Sequence, residues 1–426
     1  MRARILPLLV GLFTLAVTGV ARAGAGGGSS CRGDGCAVSG TVVLAIVAAA
    51  LVFFVIPAAI AGMRARRRRR ERVRRVELAS AEAAGDDEAF AADAVRPAAA
   101  ALFVELQAAW DRRDRERLQV LVGPDLYVEW ARRLDDFERK GWHNRVSVVG
   151  EPGVEYVGLV NRAQDREDRV TVRLTATTRD YVEDRRGRRI MRNGERDETT
   201  SVAEYWTLGK REGGGWRLLS IEQDAEGAHN LQAEIVATPW GDEARLHDEA
   251  VSERAAAEAA PAGVAPAELA DLDFDGPARA AALDLALADG RFDPDLIEAS
   301  VRRAVAAWAE AVDGEDAPLE AVARPEAVRE LLHPGDASAA TRLVVRGPRI
   351  VAVRITALDV AADPPALAVE VDVRGRRYVE DRDTAAVLDG SREREVRFVE
   401  RWTLALDGPD AWPWRLAGAT VPAPVP

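Results

Sequence analysis

Cysteine is almost absent: two residues in 426, Cys31 and Cys36, both ahead of residue 41. Everything after them must stand without disulfides or thiolate ligands, as suits a reducing compartment. Histidine is nearly as scarce. His143, His229, His247 and His333 sit in separate segments without metal-ligand spacing, so no metal site is expected. No P-loop, no G-x-S-x-G and no H-E-x-x-H occurs, and no cofactor is expected. Excess basic charge is missing as well, once the N-terminus is set apart. Residues 1–75 hold 13 Arg against two acidic residues, so a whole-chain charge of −12 leaves −23 for the remainder. A body that acidic is a poor ligand for phosphate backbones, which excludes general nucleic-acid binding.

What is present begins with an address. Residues 1–23 have a basic start, an apolar stretch and a small-residue A-R-A site, the pattern of a signal peptide. Retention of that stretch as an uncleaved first span is the alternative. Residues 24–40 are glycine-rich and carry both cysteines. In an oxidising space Cys31 and Cys36 can close a disulfide. The Arg-Gly-Asp there reads either as an adhesion signal or as a plain turn. Residues 41–62 contain no charge and are long enough to cross a bilayer once. Nine Arg follow between 64 and 75, and basic flanks stay inside. The expectation is a single-pass protein of the cell membrane, with residues 63–426 cytoplasmic and the lipid bilayer as its first partner.

The body repeats itself. "RDYVEDR" at 179–185 returns as "RRYVEDR" at 376–382, and "EYWTL" at 204–208 as "ERWTL" at 400–404. Trp110 and Trp308, Pro124 and Pro325, and "WRL" at 216–218 and 414–416 keep nearly the same offset. Such self-similarity predicts a duplicated domain. Copy one is expected at 97–230 and a divergent copy two at 290–426. A basic helix and connector fills 63–96, and a helical, Pro- and Ala-rich linker 231–289.

Within copy one, Leu102, Phe103, Leu106 and Trp110 fall at helical spacing, as do Leu126, Tyr127, Trp130, Leu134 and Phe137. Val170, Val172, Leu174 and Ala176 then alternate with polar residues, as in a half-buried strand. The Asn193-Gly194 pair predicts a hairpin turn. Copy two follows the same order. Helices first and antiparallel strands after them give an α+β fold.

These residues resemble a known family. Gln107, Trp110, Asp114, Leu118, Trp206, Trp216 and the closing Ile221-Glu222-Gln223 fall in the order of the Tim44-like domain, the C-terminal domain of the forty-four-kilodalton subunit of the mitochondrial inner-membrane translocase. Copy two keeps Trp308, Trp402 and Trp414 and lacks the Ile-Glu-Gln ending. The resemblance implies two cone-like domains of the nuclear-transport-factor-two-like type, helices packed on a curved antiparallel sheet. It also implies membrane attachment and tethering of a protein partner, and it brings no catalytic residues.

Two sets of side chains stand out. Arg185, Arg186, Arg188, Arg189, Arg192 and Arg196 crowd one expected hairpin tip. They could meet anionic lipid or an acidic partner, or pair with Asp184 and Glu195 in a solvated hairpin. Residues 97–230 carry 23 Lys and Arg against 25 Asp and Glu, and residues 231–426 carry 21 against 37. That imbalance predicts the tip near the membrane and copy two hanging free as the protein-binding module. Second, Glu204 and Trp206 share a strand face, as do Glu400 and Trp402, and these are the pocket candidates. A carboxylate on an apolar face is either a general base or a structural Glu paired with Arg. The preferred function is a non-catalytic membrane-anchored binding module. The alternative is an isomerase- or dehydratase-type enzyme with Glu204 as base.

Overall fold

The computed structural model describes residues 56–190, 199–211, 213–261, 264, 277–312 and 316–420. The expected signal peptide, both cysteines and residues 41–55 of the expected span lie outside the described residues. Among the described residues, no helix is long and apolar enough to cross a membrane. The chain divides into two units, Met1–Arg66 and Arg67–Pro426. The second contains both expected copies.

The first half of that unit opens with the later turns of helix α1 (Ile56–Ala83), followed by α2 (Ala92–Arg112), α3 (Arg115–Leu121) and α4 (Pro124–Lys140). Local chemistry sets the helix ends. Asp114 caps α3 by accepting from the Arg117 amide at 3.0 Å. Pro124 opens α4, where its missing N–H costs nothing, and Gly141 closes it at φ 67°. Five strands follow: β1 (Trp142–Val160), β2 (Arg169–Asp184), β3 (Arg189–Ile190), β4 (Thr199–Lys210) and β5 (Trp216–Gln223). The sheet order is β1-β2-β4-β5, antiparallel throughout, with short β3 paired to β2. Phe103, Leu106, Leu118 and Trp130 pack from the helices onto Val170, Val172, Leu174, Trp206 and Leu208. That buries the alternating strand face named from the sequence.

The other strand face is not left to water. Arg173 gives Nε to Asp224 at 2.7 Å and Nη1 to Glu155 at 3.2 Å, and Arg69 of α1 adds an ion pair to Glu155 at 3.0 Å. Gly227 lies so close to Tyr205 that a Cβ there would stand 2.4 Å from the ring. Around Arg173 and Tyr205 the second face is therefore covered as well, while other residues of that sheet stay exposed.

The second half contains α5 (Glu243–Ala257), α6 (Ala278–Ala286), α7 (Pro294–Glu310), α8 (Ala317–Val322) and α9 (Pro325–Leu332). Strands β6 (Thr341–Asp359), β7 (Ala366–Asp381), β8 (Val387–Leu406) and β9 (Trp414–Thr420) form a sheet in the order β6-β7-β8-β9. Both halves repeat one detail. The residue before α4 and the residue before α9 each donate an amide to the last strand of their half, Gly123 to the Leu218 carbonyl at 2.7 Å and Arg324 to that of Leu416 at 2.8 Å.

Two expectations need correction. Val251 and Ala255 of α5 and Ala282 and Leu285 of α6 belong to the second hydrophobic core, so much of 231–289 is domain and not linker. Small side chains let those helices pack closely, and composition alone hides that. Likewise Val76, Ala83, Phe90 and Val95 sit in the first core, so the expected 63–96 connector is partly domain. The described turn after β2 lies at the expected arginine tip. The Asp184 amide bonds the Arg188 carbonyl at 2.8 Å, with Gly187 at φ 72°. The Asn193-Gly194 pair lies outside the described residues.

Candidate functional site

The turn between β2 and β3 places Arg185, Arg186, Arg188 and Arg189 in solvent. They are not equivalent. Arg188 is tied back, its Nε 2.9 Å from Asp184 Oδ2. The Asp184 carboxylate is held below its usual range chiefly by the Arg188 amide, with help from the Arg186 amide and the Arg188 guanidinium. Arg189 stacks over the Tyr181 ring, 4.4 Å from its centroid. Arg185 folds across Gly141, and neither it nor Arg186 has an ion-pair partner among the described residues. Arg192 and Arg196 lie outside the described residues.

The most elaborate polar chemistry lies elsewhere, on the seam between the halves. Glu129 on α4 is 4 % exposed. Its Oε1 accepts from Arg342 Nη1 at 3.1 Å and from Arg382 Nε at 2.8 Å, both reaching over from the second half. Asp383 completes the contact with Arg132 at 2.8 Å and Arg139 at 3.1 Å. A second cluster forms where the family-like ending Ile221-Glu222-Gln223 meets the second sheet. Arg346 pairs with Glu226 at 3.1 Å, and Tyr378 Oη donates to the same Glu226 oxygen at 2.6 Å. Glu222 lies 2.9 Å from His229 Nε2 and accepts from Asn230 Nδ2 at 2.6 Å. Burial alone would raise the Glu222 carboxyl. His229, Arg346 and Asn230 outweigh it and hold the group at about 2. Gly347 turns at φ 53° directly against His229, whose Cγ lies 2.4 Å from where a Cβ would project. The second half therefore does not hang free. It is clamped on the first by buried charge.

Of the pocket candidates, Trp206 and Trp402 fall inside the two cores, Glu400 is buried and Glu204 is half-buried. Trp206 packs on Phe103 with ring centroids 5.3 Å apart, and Trp402 on Trp308 at 6.1 Å. Trp110 instead meets Trp130 edge-to-face, with ring centroids 5.3 Å apart, and donates Nε1 to Asn144 at 2.8 Å. Trp206 Nε1 donates to Glu204 Oε2 at 2.9 Å, and burial pushes the Glu204 carboxyl up against that bond. Glu400 is 2 % exposed, with Arg377 at 3.7 Å. Burial pushes its carboxyl up to about 7, and Arg377 only partly opposes this. Both carboxylates thus have the raised affinity for a proton that a base requires, and both stand beside a core tryptophan.

Sequence reasoning found the arginine tip and the paired Glu-Trp strands. It missed Glu129, Glu226, Arg342 and Arg346. One signal was available: Tyr378 and Arg382 of the repeated phrase are the residues that reach across the seam. A repeated phrase whose second use binds its first domain cannot be told, by spelling, from two uses that do the same thing.

Known proteins can now be set beside this geometry. Residues 76–223 match the family model described as "Tim44-like domain". The match starts at Val76, the residue at which α1 enters the first core. No curated protein matches the chain. Among solved structures, the chain is similar to an "Ntf2 like protein involved in plasmid conjugation" at 10% identity. That similarity covers 77% of this chain and 94% of the other, with a TM-score of 0.20. At that score the fold is read from the helices and sheets themselves: α+β, with antiparallel sheets.

Proposed function

We propose that this chain is a membrane-anchored, non-catalytic module whose Tim44-like domain binds or tethers a protein partner, anionic lipid, or both, at the cytoplasmic face of a membrane. The seat of α1 carries the reading. Arg72 is 3 % exposed and gives Nε to the Val157 carbonyl at 2.6 Å and Nη1 to that of Ala233 at 2.7 Å. The basic run after the apolar residues 41–62 is thus a built part of the domain from Arg69 onward. A run of Arg after an apolar stretch marks the inner side of a membrane. The exposed Arg185 and Arg186 offer a second basic surface, and each such residue near an anionic leaflet is worth about 1 kcal/mol before salt screens it. The second half, with the same strand order and the same contact before α9, is on this reading a diverged copy.

Labelling of the full chain in intact cells tests the orientation. With Ala250→Cys introduced at an exposed position of α5, an impermeant thiol reagent should label Cys31 and Cys36 after reduction and spare residue 250. Labelling at 250 overturns the topology. Co-sedimentation with vesicles tests the surface: binding should rise with phosphatidylglycerol content and fall when Arg185, Arg186, Arg188 and Arg189 become Ser.

One observation favours a second reading, an isomerase- or dehydratase-type enzyme. Burial raises the Glu204 carboxyl as a general base requires. Against it, the Trp206 indole already occupies a Glu204 oxygen. Turnover abolished by Glu204→Gln in a folded protein would establish this alternative.

A further inference from the structure

The phrase Tyr-Val-Glu-Asp-Arg is used twice, and the two uses have different outcomes. In the second half, Tyr378 donates to Glu226, and Arg382 joins Arg342 on Glu129 of α4. In the first half the corresponding Arg185 is exposed and has no ion-pair partner among the described residues, while Tyr181 carries Arg189. One grip is closed, and its counterpart is open among the described residues.

The acceptor also exists twice. Glu129 stands five residues after Pro124, which opens α4, and Glu330 stands five residues after Pro325, which opens α9. Both helices follow the same amide contact to the last strand of their half. Glu129 is covered by the arginines of the second half. Glu330 is exposed, with one oxygen accepting from the Ala419 amide at 2.8 Å, and Glu326 is exposed one turn before it.

We propose that the β2–β3 tip of one chain, through Arg185 and Arg186, docks on α9 of a second copy of this chain at Glu326 and Glu330. This would repeat between molecules the contact that Arg382 makes with Glu129 within one. The inference rests on the binding-module reading and names the protein partner as another copy. Charge favours it, since residues 231–426 carry 21 basic against 37 acidic residues. The shortness of α9 favours it too. The later turns of α4 carry Arg132 and Arg139, which hold Asp383. The tip has Arg186 where the second half has Asp383, and α9 stops before the positions that Arg132 and Arg139 hold on α4. Exposed Arg329 lies between Glu326 and Glu330, so the two carboxylates outnumber the one basic residue on this helix. Donor and acceptor are different surfaces, so the contact is head-to-tail and propagates from molecule to molecule.

Sedimentation velocity of the full chain in a non-ionic detergent tests this. Wild-type protein should form species beyond the monomer that grow with concentration and dissolve as salt rises. The tip variant Arg185→Glu/Arg186→Glu and the helix variant Glu326→Lys/Glu330→Lys should each stay monomeric. Mixed in equal amounts they should give a dimer and nothing larger, because one intact tip meets one intact helix. Glu330 also holds Ala419, so Glu326→Lys alone serves as the milder helix variant, with folding checked by circular dichroism. Monomeric wild-type protein, variants that associate like wild type, or a mixture that stays monomeric each overturn the proposal. Wild-type protein that is monomeric yet binds phosphatidylglycerol vesicles through the tip would overturn the second-copy partner and leave the binding-module reading standing.

Discussion

Tyr378 Oη donates to Glu226 Oε1 at 2.6 Å across the seam between the two halves, beside Arg346 at 3.1 Å from the same oxygen. A neutral donor and a guanidinium thus share one buried carboxylate oxygen. Removing the hydroxyl in Tyr378→Phe keeps the ring and deletes one bond to a charged group, which should cost about 1–3 kcal/mol. Tyr181→Phe is the internal control, since Tyr181 reaches no second half and should leave stability unchanged. Urea midpoints for the two variants decide the matter, and equal midpoints would contradict the seam.

Glu129 is the more demanding position. Glu129→Ala strands Arg342 and Arg382, both largely buried, without their shared counter-charge. Removing one partner of a buried ion pair typically costs about 3–5 kcal/mol, more than the pair itself contributes when intact. The expected outcome is a chain that unfolds at markedly lower urea and is cleaved by protease near the seam. Glu330→Ala, the exposed counterpart, should lose far less.

Glu400 gives the pH dependence. Its carboxyl is raised from 4.5 to about 7 in the folded chain, so the folded state holds a proton that the unfolded state releases. Stability from this group is therefore complete below 4.5 and is lost as pH rises through 7. The loss approaches about 3 kcal/mol on the alkaline side. Glu222 has the opposite sign. Lowered from 4.5 to about 2, it stabilises above 4.5 and fails only as acid approaches 2. Urea midpoints at pH 5, 6, 7 and 8 should fall for wild type and fall less steeply for Glu400→Gln, the remainder coming from Glu204, whose carboxyl burial raises in the same direction. A slope unchanged by the substitution assigns it to other groups.

Much of this was legible because it is local. Pro124 and Gly141 bound α4, alternation marks Val170, Val172 and Leu174, and Trp206 and Trp402 read as core from their strand faces. The α5 and α6 packing was not legible, because alanine carries almost no hydrophobic period: Ala255 and Ala282 bury as fully as a leucine without announcing it. The seam was hidden for a different reason. Glu129 and Arg342 are 213 residues apart, and each reads as an ordinary solvated charge on its own element. Only the fold brings them together, and burial then makes a surface-looking pair central to how the halves are joined.

That joining changes what a core mutation should do. Trp206 is 1 % exposed, lies opposite Val172 and Ile221 in the sheet, and packs on Phe103. Trp206→Ala should cost about 3–5 kcal/mol, a large share of a domain's stability. Two tandem copies on a loose linker would let the damaged one melt alone. Here Glu129, Glu222 and Glu226 all belong to the first half, and Arg342, Arg346 and Arg382 depend on them. Once the first half unfolds, three arginines of the second half lose their buried counter-charges together. Calorimetry of Trp206→Ala should therefore show one transition moved down in temperature, with no wild-type-like peak remaining. Two separated transitions, the upper one unshifted, would show that the halves fold independently in spite of the seam.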